Sequence, residues 1–216
     1  MVAIIFAFAW LYERPTQIKP EHIVFLVIVA LFCIWIYYRR SDFTKQIAEK
    51  NGWKYSMARS EKTGSRALFE TGQEDFVIKG SHNDIPFELY TGAISIVIEI
   101  PGEYKVDNFS IHLKSILPIK KAENGWIKTE MESTKLKEIF VSYRPERYAK
   151  EKFVIPSSIS EPLFVFGKKY HFNFYIENNK LVYSTYGLGW YNTAEEKEKS
   201  LKRFIERAYE IRKLFI

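Results

Sequence analysis

The chain has 216 residues and a net charge of +6. Its basic residues occur singly or in pairs, such as Lys120–Lys121 and Lys168–Lys169, and form no block of five or six, so nucleic acid is not an expected partner. The single cysteine, Cys33, excludes an intramolecular disulfide and a zinc site built on several thiolates. Aromatic residues make up 17% of the chain, which is enough for the core of one folded domain beside a short anchor segment.

Residues 23–38, IVFLVIVALFCIWIYY, form a run of sixteen residues without a charge. As a helix at about 1.5 Å per residue, the run would be about 24 Å long, slightly shorter than the roughly 30 Å hydrocarbon core of a bilayer. A helix that is buried in a protein core usually has a polar side, and this run has none. We therefore predict that residues 23–38 cross a membrane. A buried core helix is the alternative.

Residues 1–12 form another apolar run, for which three interpretations compete. The run can pair with residues 23–38 as a transmembrane hairpin, lie in the membrane interface, or be a signal peptide that ends at Ala7-Phe8-Ala9. No basic residue precedes it, which disfavours the signal peptide. We predict that residues 1–40 are a membrane anchor, with the hairpin favoured over a single span.

The basic residues around the second apolar run predict its orientation. Arg39, Arg40 and Lys45 follow the run, whereas Arg14 and Lys19 precede it. Short segments rich in Lys and Arg are retained in the cytoplasm. We therefore predict a protein of the cell membrane whose residues 41–216 are cytoplasmic.

Residues 41–216 have the pattern of one α+β domain, mainly of antiparallel strands. Ser41 can cap a short N-terminal helix, Asp42–Lys50, which Asn51-Gly52 ends. Thr193 and Glu196 form a capping box at the start of a long C-terminal amphipathic helix. Between these helices we predict hairpins around residues 81–84 and 177–180, a helical turn at 147–152 and a short helix at 159–166 interrupted by Pro162. The predicted strands are 76–78, 86–90, 93–100, 109–113, 126–131, 139–143, 172–176 and 181–184.

The order of these features resembles an uncharacterised family of prokaryotic membrane-anchored proteins, known only as a domain of unknown function. The residues that carry the resemblance are Gly52-Trp53-Lys54-Tyr55, Gly80, Phe87-Glu88-Leu89-Tyr90, Val97-Ile98-Glu99-Ile100-Pro101, Lys137-Glu138-Ile139-Phe140-Val141, Ala149 and Pro156. This chain departs from such proteins in its short connection between Tyr90 and Ala93. The resemblance implies an architecture and brings no catalytic residues.

No sequence motif for catalysis or cofactor binding occurs. The chain has no P-loop, no nucleophile elbow and no histidine pair at zinc-protease spacing, so we predict no catalytic residue, metal or cofactor. His112 and His171 lie in predicted strands and are interpreted as structural. His82 and Asp84 share a predicted turn that can bind a metal or a phosphate, with a solvated turn as the simpler interpretation.

Residues 183–191 combine four aromatic residues with two glycines between a strand and the last helix. Exposed aromatic side chains mark interaction sites, so Tyr183, Tyr186, Trp190 and Tyr191 are candidate ligand-binding residues. The alternative is that Trp190 and Tyr191 pack the C-terminal helix against the sheet.

These patterns predict a membrane-anchored cytoplasmic domain that binds a protein or a lipid headgroup at the membrane surface. The expected partners are the lipid bilayer and a membrane or cytoplasmic protein. The alternative is a membrane-bound hydrolase whose active site matches no motif.

Overall fold

The computed structural model describes residues 20–56, 74–92, 95–105, 108–114, 125–148, 154–186 and 193–216. The chain divides into two compact units, Met1–Gln46 and Ile47–Ile216. The predicted domain boundary after residue 40 therefore falls inside the first unit.

Helix α1, Pro20–Lys50, contains the apolar run of residues 23–38. The prediction of a separate helix that begins at Ser41 is wrong, since α1 continues through Ser41 to Lys50. No glycine or proline follows Pro20 in this range, so nothing in the sequence ends the helix earlier. The predicted membrane crossing of residues 23–38, as a single span or in a hairpin, is wrong as well: within the described ranges, no helix is both long and apolar enough to cross a bilayer. The uncharged run gives only about 24 Å of helix against roughly 30 Å of hydrocarbon. Residues 1–12 and the signal-peptide interpretation lie outside the described residues.

The second unit is built on an antiparallel sheet whose nine described strands lie in the order β1-β2-β3-β4-β9-β8-β5-β7-β6. The strands are β1 Lys54–Ser56, β2 Glu74–His82, β3 Ile85–Gly92, β4 Ser95–Pro101, β5 Phe109–Leu113, β6 Trp126–Thr129, β7 Phe140–Pro145, β8 Asn173–Glu177 and β9 Lys180–Tyr186. Each described strand pair is antiparallel, so the mainly antiparallel character predicted from the sequence is present in this unit.

The described helices of the second unit, besides the last residues of α1, are α2 Thr134–Ile139, α3 Ser157–Lys169 and α4 Ala194–Phe215, with a 3-10 turn at Glu146–Tyr148. The start of α4 is as predicted, since the Thr193 side chain accepts a hydrogen bond from the backbone N–H of Glu196. The prediction that Pro162 interrupts this helix is wrong, because α3 is continuous from Ser157 to Lys169. Pro162 is exposed inside the helix, where it removes one hydrogen bond, to the Ser158 carbonyl, and the helix continues past it to Lys169.

Both predicted hairpins are confirmed, and each closes with two residues in the left-handed region. Asn83 and Asp84 have φ of 50° and 63°, and Asn178 and Asn179 have φ of 52° and 57°. Such turns match the right-handed twist of the strands, and the short side chains of Asn and Asp tolerate positive φ. The turns fix the register of β2 with β3 and of β8 with β9.

One face of the sheet carries the main hydrophobic core. On β4, Ile96, Ile98 and Ile100 are fully buried on this face, as the alternation of the sequence predicts. Helix α4 covers the same core with its apolar side chains, and α2 and α3 add Leu136 and Leu163. The α4 residues in this core are Leu201, Phe204, Ile205, Ala208, Tyr209, Ile211 and Phe215.

The opposite face of the sheet has a smaller cluster of buried side chains. Its members are Val77, Tyr90, Val97, Trp126, Tyr175 and Val182, with Tyr143 packed against them. On β2, β3, β4, β8 and β9 the members alternate with residues of the main core, so the sheet separates two layers of unequal size.

A buried carboxylate joins the end of α1 to the start of α4 within the second unit. Glu198 accepts hydrogen bonds from Lys202 and Lys50, both at 2.7 Å, and from the Asn51 amide at 3.2 Å. The hydrogen bonds from Lys202, Lys50 and Asn51 outweigh the effect of burial and lower the pKa of Glu198 to about 2. The side chain of Glu198 is about one-tenth exposed, so its charge depends on these partners.

We expect Glu198 to make the stability of this unit depend on acid pH. Its folded-state pKa of about 2 lies below 4.5, the ordinary pKa of this carboxyl group, so its stabilisation is complete above pH 4.5 and is lost as the pH falls towards 2. Glu198→Gln removes the charge, which should lower the free energy of unfolding at neutral pH by about 1–3 kcal/mol and flatten its decline between pH 4.5 and 2. Denaturant unfolding across this pH range measures both effects. Glu195→Gln, which changes an exposed carboxylate of the same helix by the same charge, is the control. Identical pH profiles for the two variants would contradict the assignment.

Gly167 allows α3 to pack closely on the sheet. A Cβ atom at Gly167 would overlap the ring of Phe140 and the side chain of Ile139. Alanine in a helix ordinarily stabilises by about 0.5–1 kcal/mol relative to glycine, whereas overpacking a core costs about 1–3 kcal/mol. We expect Gly167→Ala to lower the free energy of unfolding, as measured by denaturant titration. Ser158→Ala, at an exposed position of the same helix, should change it by less than about 0.5 kcal/mol. Equal stability of the two variants would show that Phe140 can move aside without cost.

Candidate functional site

One of the four predicted ligand-binding residues, Tyr183, is buried in the core. Tyr183 is in the middle of β9, 1% exposed, and its ring lies 5.4 Å from that of Phe172 and 5.1 Å from that of Phe204. Tyr183 is thus part of the main core. Tyr186 ends β9 in register with Ser95, while Trp190 and Tyr191 lie outside the described residues. A ligand-binding role for Tyr186, Trp190 and Tyr191 stays a prediction.

The basic flank predicted from the sequence lies within α1. The Arg39 guanidinium is 5.1 Å from the centroid of the Trp35 indole and 5.3 Å from the ring of Phe43. Lys45 is exposed, and Arg40 occupies the next position of the same helix after Arg39. The first unit therefore places basic groups directly after its apolar run.

A second group of basic residues lies at the junction of α3 and α4, beside aromatic rings. We call it the basic–aromatic surface. It consists of Phe164, Phe166, Lys168, Lys169, Tyr170 and Arg207.

Each cation of this surface lies over a ring. The Arg207 guanidinium carbon is 4.0 Å and the Lys169 ammonium 5.1 Å from the centroid of Tyr170. The Lys168 ammonium is 4.3 Å from the centroid of Phe164. A cation within about 6 Å of a ring centroid is attracted to the ring face. These contacts hold three positive charges at defined positions on the protein surface.

Local sequence explains how the two lysines come to lie there. Lys168 and Lys169 form the last turn of α3, where cations interact favourably with the helix carbonyls. Tyr170 caps the helix in extended conformation, and its N–H donates to the carbonyl of Phe166. The ring of Tyr170 also contacts that of Phe166, at 4.8 Å between centroids. The side chain of Tyr170 is thereby placed where Arg207 of α4 can cover it.

Charged groups of this surface also affect the pKa of Tyr183 in the main core. Burial is the main cause that raises the pKa of Tyr183, while Arg207 lowers it and Glu210 and Tyr170 raise it. Tyr183 therefore stays a neutral phenol under the surface. The pKa of Lys169 is raised by a hydrogen bond to Tyr170 and by Glu210, against the effect of Arg207. Lys169 is accordingly charged at neutral pH, and the surface can bind an anion.

The sequence analysis missed a serine–histidine pair on the other face of the sheet. His112 Nε2 lies 3.2 Å from Ser110 Oγ, and the His112 ring meets Tyr143 edge to face at 5.6 Å. The signal was available, because residues two apart in a strand share a face. Ser110 is completely buried, however, and a nucleophile has to reach its substrate. His112 fits the structural role that the sequence predicts for it.

Near this pair lies a buried amide. Asn173 Oδ1 accepts a hydrogen bond from the N–H of Leu113 at 3.2 Å, while its Nδ2 finds no hydrogen-bond partner in the described parts of the chain.

The ring of His82 lies 4.8 Å from that of Tyr209, beside the turn with Asp84. Among the described residues, no group of three or more His, Cys, Asp or Glu could hold a metal ion.

No family model matches this chain, and no curated protein matches it. The resemblance to an uncharacterised prokaryotic family therefore stays a prediction. Among solved structures, the chain is similar to the crystal structure of the mycobacterial trehalose monomycolate transport factor A, TtfA. The match has a TM-score of 0.51 and 13% sequence identity, and it covers 82% of this chain and 96% of that one. It establishes a shared fold. At this identity it carries no information on function.

We expect Arg207 and Tyr170 to be energetically coupled. In a double-mutant cycle with Arg207→Ala and Tyr170→Leu, the coupling in the free energy of unfolding should be about 0.5–1 kcal/mol. The reason is that the contact between guanidinium and ring exists only when both side chains are present, so either substitution alone removes it. A second cycle with Arg203→Ala and Tyr170→Leu is the control, since Arg203 is an exposed arginine one turn earlier on α4. Its coupling should be close to zero. Equal values in the two cycles would show that the ring contact does not stabilise the protein.

Proposed function

We propose that the protein works at the cell membrane, on its cytoplasmic side, where the Ile47–Ile216 unit binds a protein or a lipid headgroup. The observation that carries the proposal is the set of large apolar side chains that α1 leaves exposed. They are Ile23, Val24, Phe25, Val27, Ile28, Leu31, Phe32, Ile34, Trp35 and Tyr38, each more than half exposed. Apolar surface of this extent marks a contact with a membrane or with another protein.

The distribution of these side chains favours lipid as the covering material. They occupy successive positions of the helix, so they point to several sides of it. A protein groove covers one side of a helix, whereas lipid chains can adapt to all sides that they reach. Trp35 and Tyr38 at the end of the run are also residues that favour the membrane interface.

The basic flank supports the cytoplasmic side. Arg39, Arg40 and Lys45 follow the apolar residues. The cytoplasmic leaflet is anionic and attracts basic residues next to a membrane by about 1 kcal/mol each.

A hydrolase is the second candidate, and Ser110 with His112 is the pair that favours it. Their separation of 3.2 Å suits a nucleophile and its base. The burial of Ser110 weighs against this function, so binding at a membrane is the function that we adopt.

Vesicle flotation tests the proposal. The full chain should float with phosphatidylcholine vesicles, and Phe25→Gln with Leu31→Gln should lower its partition coefficient at least about a hundredfold, since burying each side chain contributes about 1.5–3 kcal/mol. Val154→Gln with Ile216→Gln removes two exposed apolar side chains of the second unit and is the matched control. The control should float like the unaltered protein. A chain that stays in the soluble fraction, or equal losses in both variants, would refute the proposal.

A further inference from the structure

The basic–aromatic surface combines exposed positive charge with an exposed apolar side chain. Lys168 and Lys169 are exposed at the end of α3, and Arg207 is half-buried on α4. Val165, in the turn before the two lysines, is 59% exposed. Arg203 is exposed one helical turn before Arg207 and adds a further positive charge on that side of α4.

Acidic residues near this surface compensate only part of its charge. Glu210 interacts electrostatically with Lys169. Glu161, at the other end of α3, is paired with Lys135 at 2.8 Å. The surface thus has three positive charges, on Lys168, Lys169 and Arg207, and the carboxylate of Glu210 acts on that of Lys169. The surface remains positive and is complementary to an anion.

The rings prepare the cations for binding. Tyr170 and Phe164 contact the charged groups of Arg207, Lys169 and Lys168, which reduces the conformational entropy that a ligand would have to remove. The cations cover the ring faces, so the groups that the surface offers to a partner are ammonium and guanidinium. These groups bind phosphate oxygens by charge-assisted hydrogen bonds.

We propose that the basic–aromatic surface binds the phosphate groups of anionic lipids at a bilayer surface, with Val165 entering the headgroup region. This inference rests on the proposed function, since it names the lipid chemistry that the second unit recognises. A plane of anionic headgroups fits separate, ring-supported cations beside an exposed apolar side chain, as in other proteins that bind membrane surfaces. An interface with an acidic protein would have an apolar core, and such a core needs a larger apolar patch on this surface than Val165 provides.

Binding of the full chain to two kinds of vesicle tests the inference. One kind is phosphatidylcholine alone, and the other also contains phosphatidylglycerol. Each lysine near an anionic surface contributes about fivefold to binding, so Lys168→Gln with Lys169→Gln should weaken binding to anionic vesicles about 25-fold and leave binding to phosphatidylcholine unchanged. Lys54→Gln with Lys128→Gln is the control. It removes the same charge from two exposed lysines on the opposite face of the sheet and should weaken binding less than about twofold. Matching thermal melts of the two variants show that both are folded.

The outcomes separate this inference from the proposed function. If the unaltered chain binds both kinds of vesicle equally, or if the Lys168/Lys169 variant binds anionic vesicles as tightly as the control, the inference is wrong and the proposed membrane association stands. An acidic protein would then be the partner that suits the surface. If the chain binds neither kind of vesicle, both the inference and the proposed function are wrong.

Discussion

The second unit depends on the burial of one side of α4 against the inner face of the sheet. Phe204 contacts Tyr183 of β9, and Phe215 contacts Phe109 of β5 and Phe174 of β8, with ring centroids 5.1 to 5.5 Å apart. These contacts connect the middle and the C-terminal end of a 22-residue helix to strands in the middle of the sheet. Burial of large aromatic rings supplies the greatest apolar area per residue, so these contacts stabilise the packing of the helix on the sheet.

The candidate surface follows from this packing. Since the inner side of α4 is fixed by Phe204, Ala208 and Ile211, the helix presents Arg207 at its border with α3. The ring of Phe166 contacts Phe172 of the core at 5.1 Å and Tyr170 of the surface at 4.8 Å, so the surface rings continue the core outwards. The positions of the cations are thus determined by hydrophobic contacts beneath them.

Much of the fold can be predicted from local sequence, but its longer-range features cannot. The turns at Asn83-Asp84 and Asn178-Asn179 and the cap at Thr193 depend on residues within a few positions of each other. The extent of α1 was mispredicted because Ser41 can either begin a helix or lie inside one. Helix α2 was missed, since a six-residue segment with one buried side chain, Leu136, has no recognisable period.

The candidate surface could be predicted only in part. Lys168 and Lys169 are visible as a pair, but Tyr170 and Arg207 meet only after α3 and α4 have packed together. For Tyr183 a signal was present. Alternation places it with Leu181 on one face and Val182 with Ser184 on the other, which predicts an inward ring.

The order of the strands also bears on how the protein behaves at high concentration. The described sheet begins with β1, of three residues, and ends with β6, of four residues. Each of these outer strands carries an exposed lysine, Lys54 on β1 and Lys128 on β6. Short outer strands with charged side chains pair poorly with the sheets of other molecules. A sheet this wide is therefore protected against growth into aggregates at both of its margins.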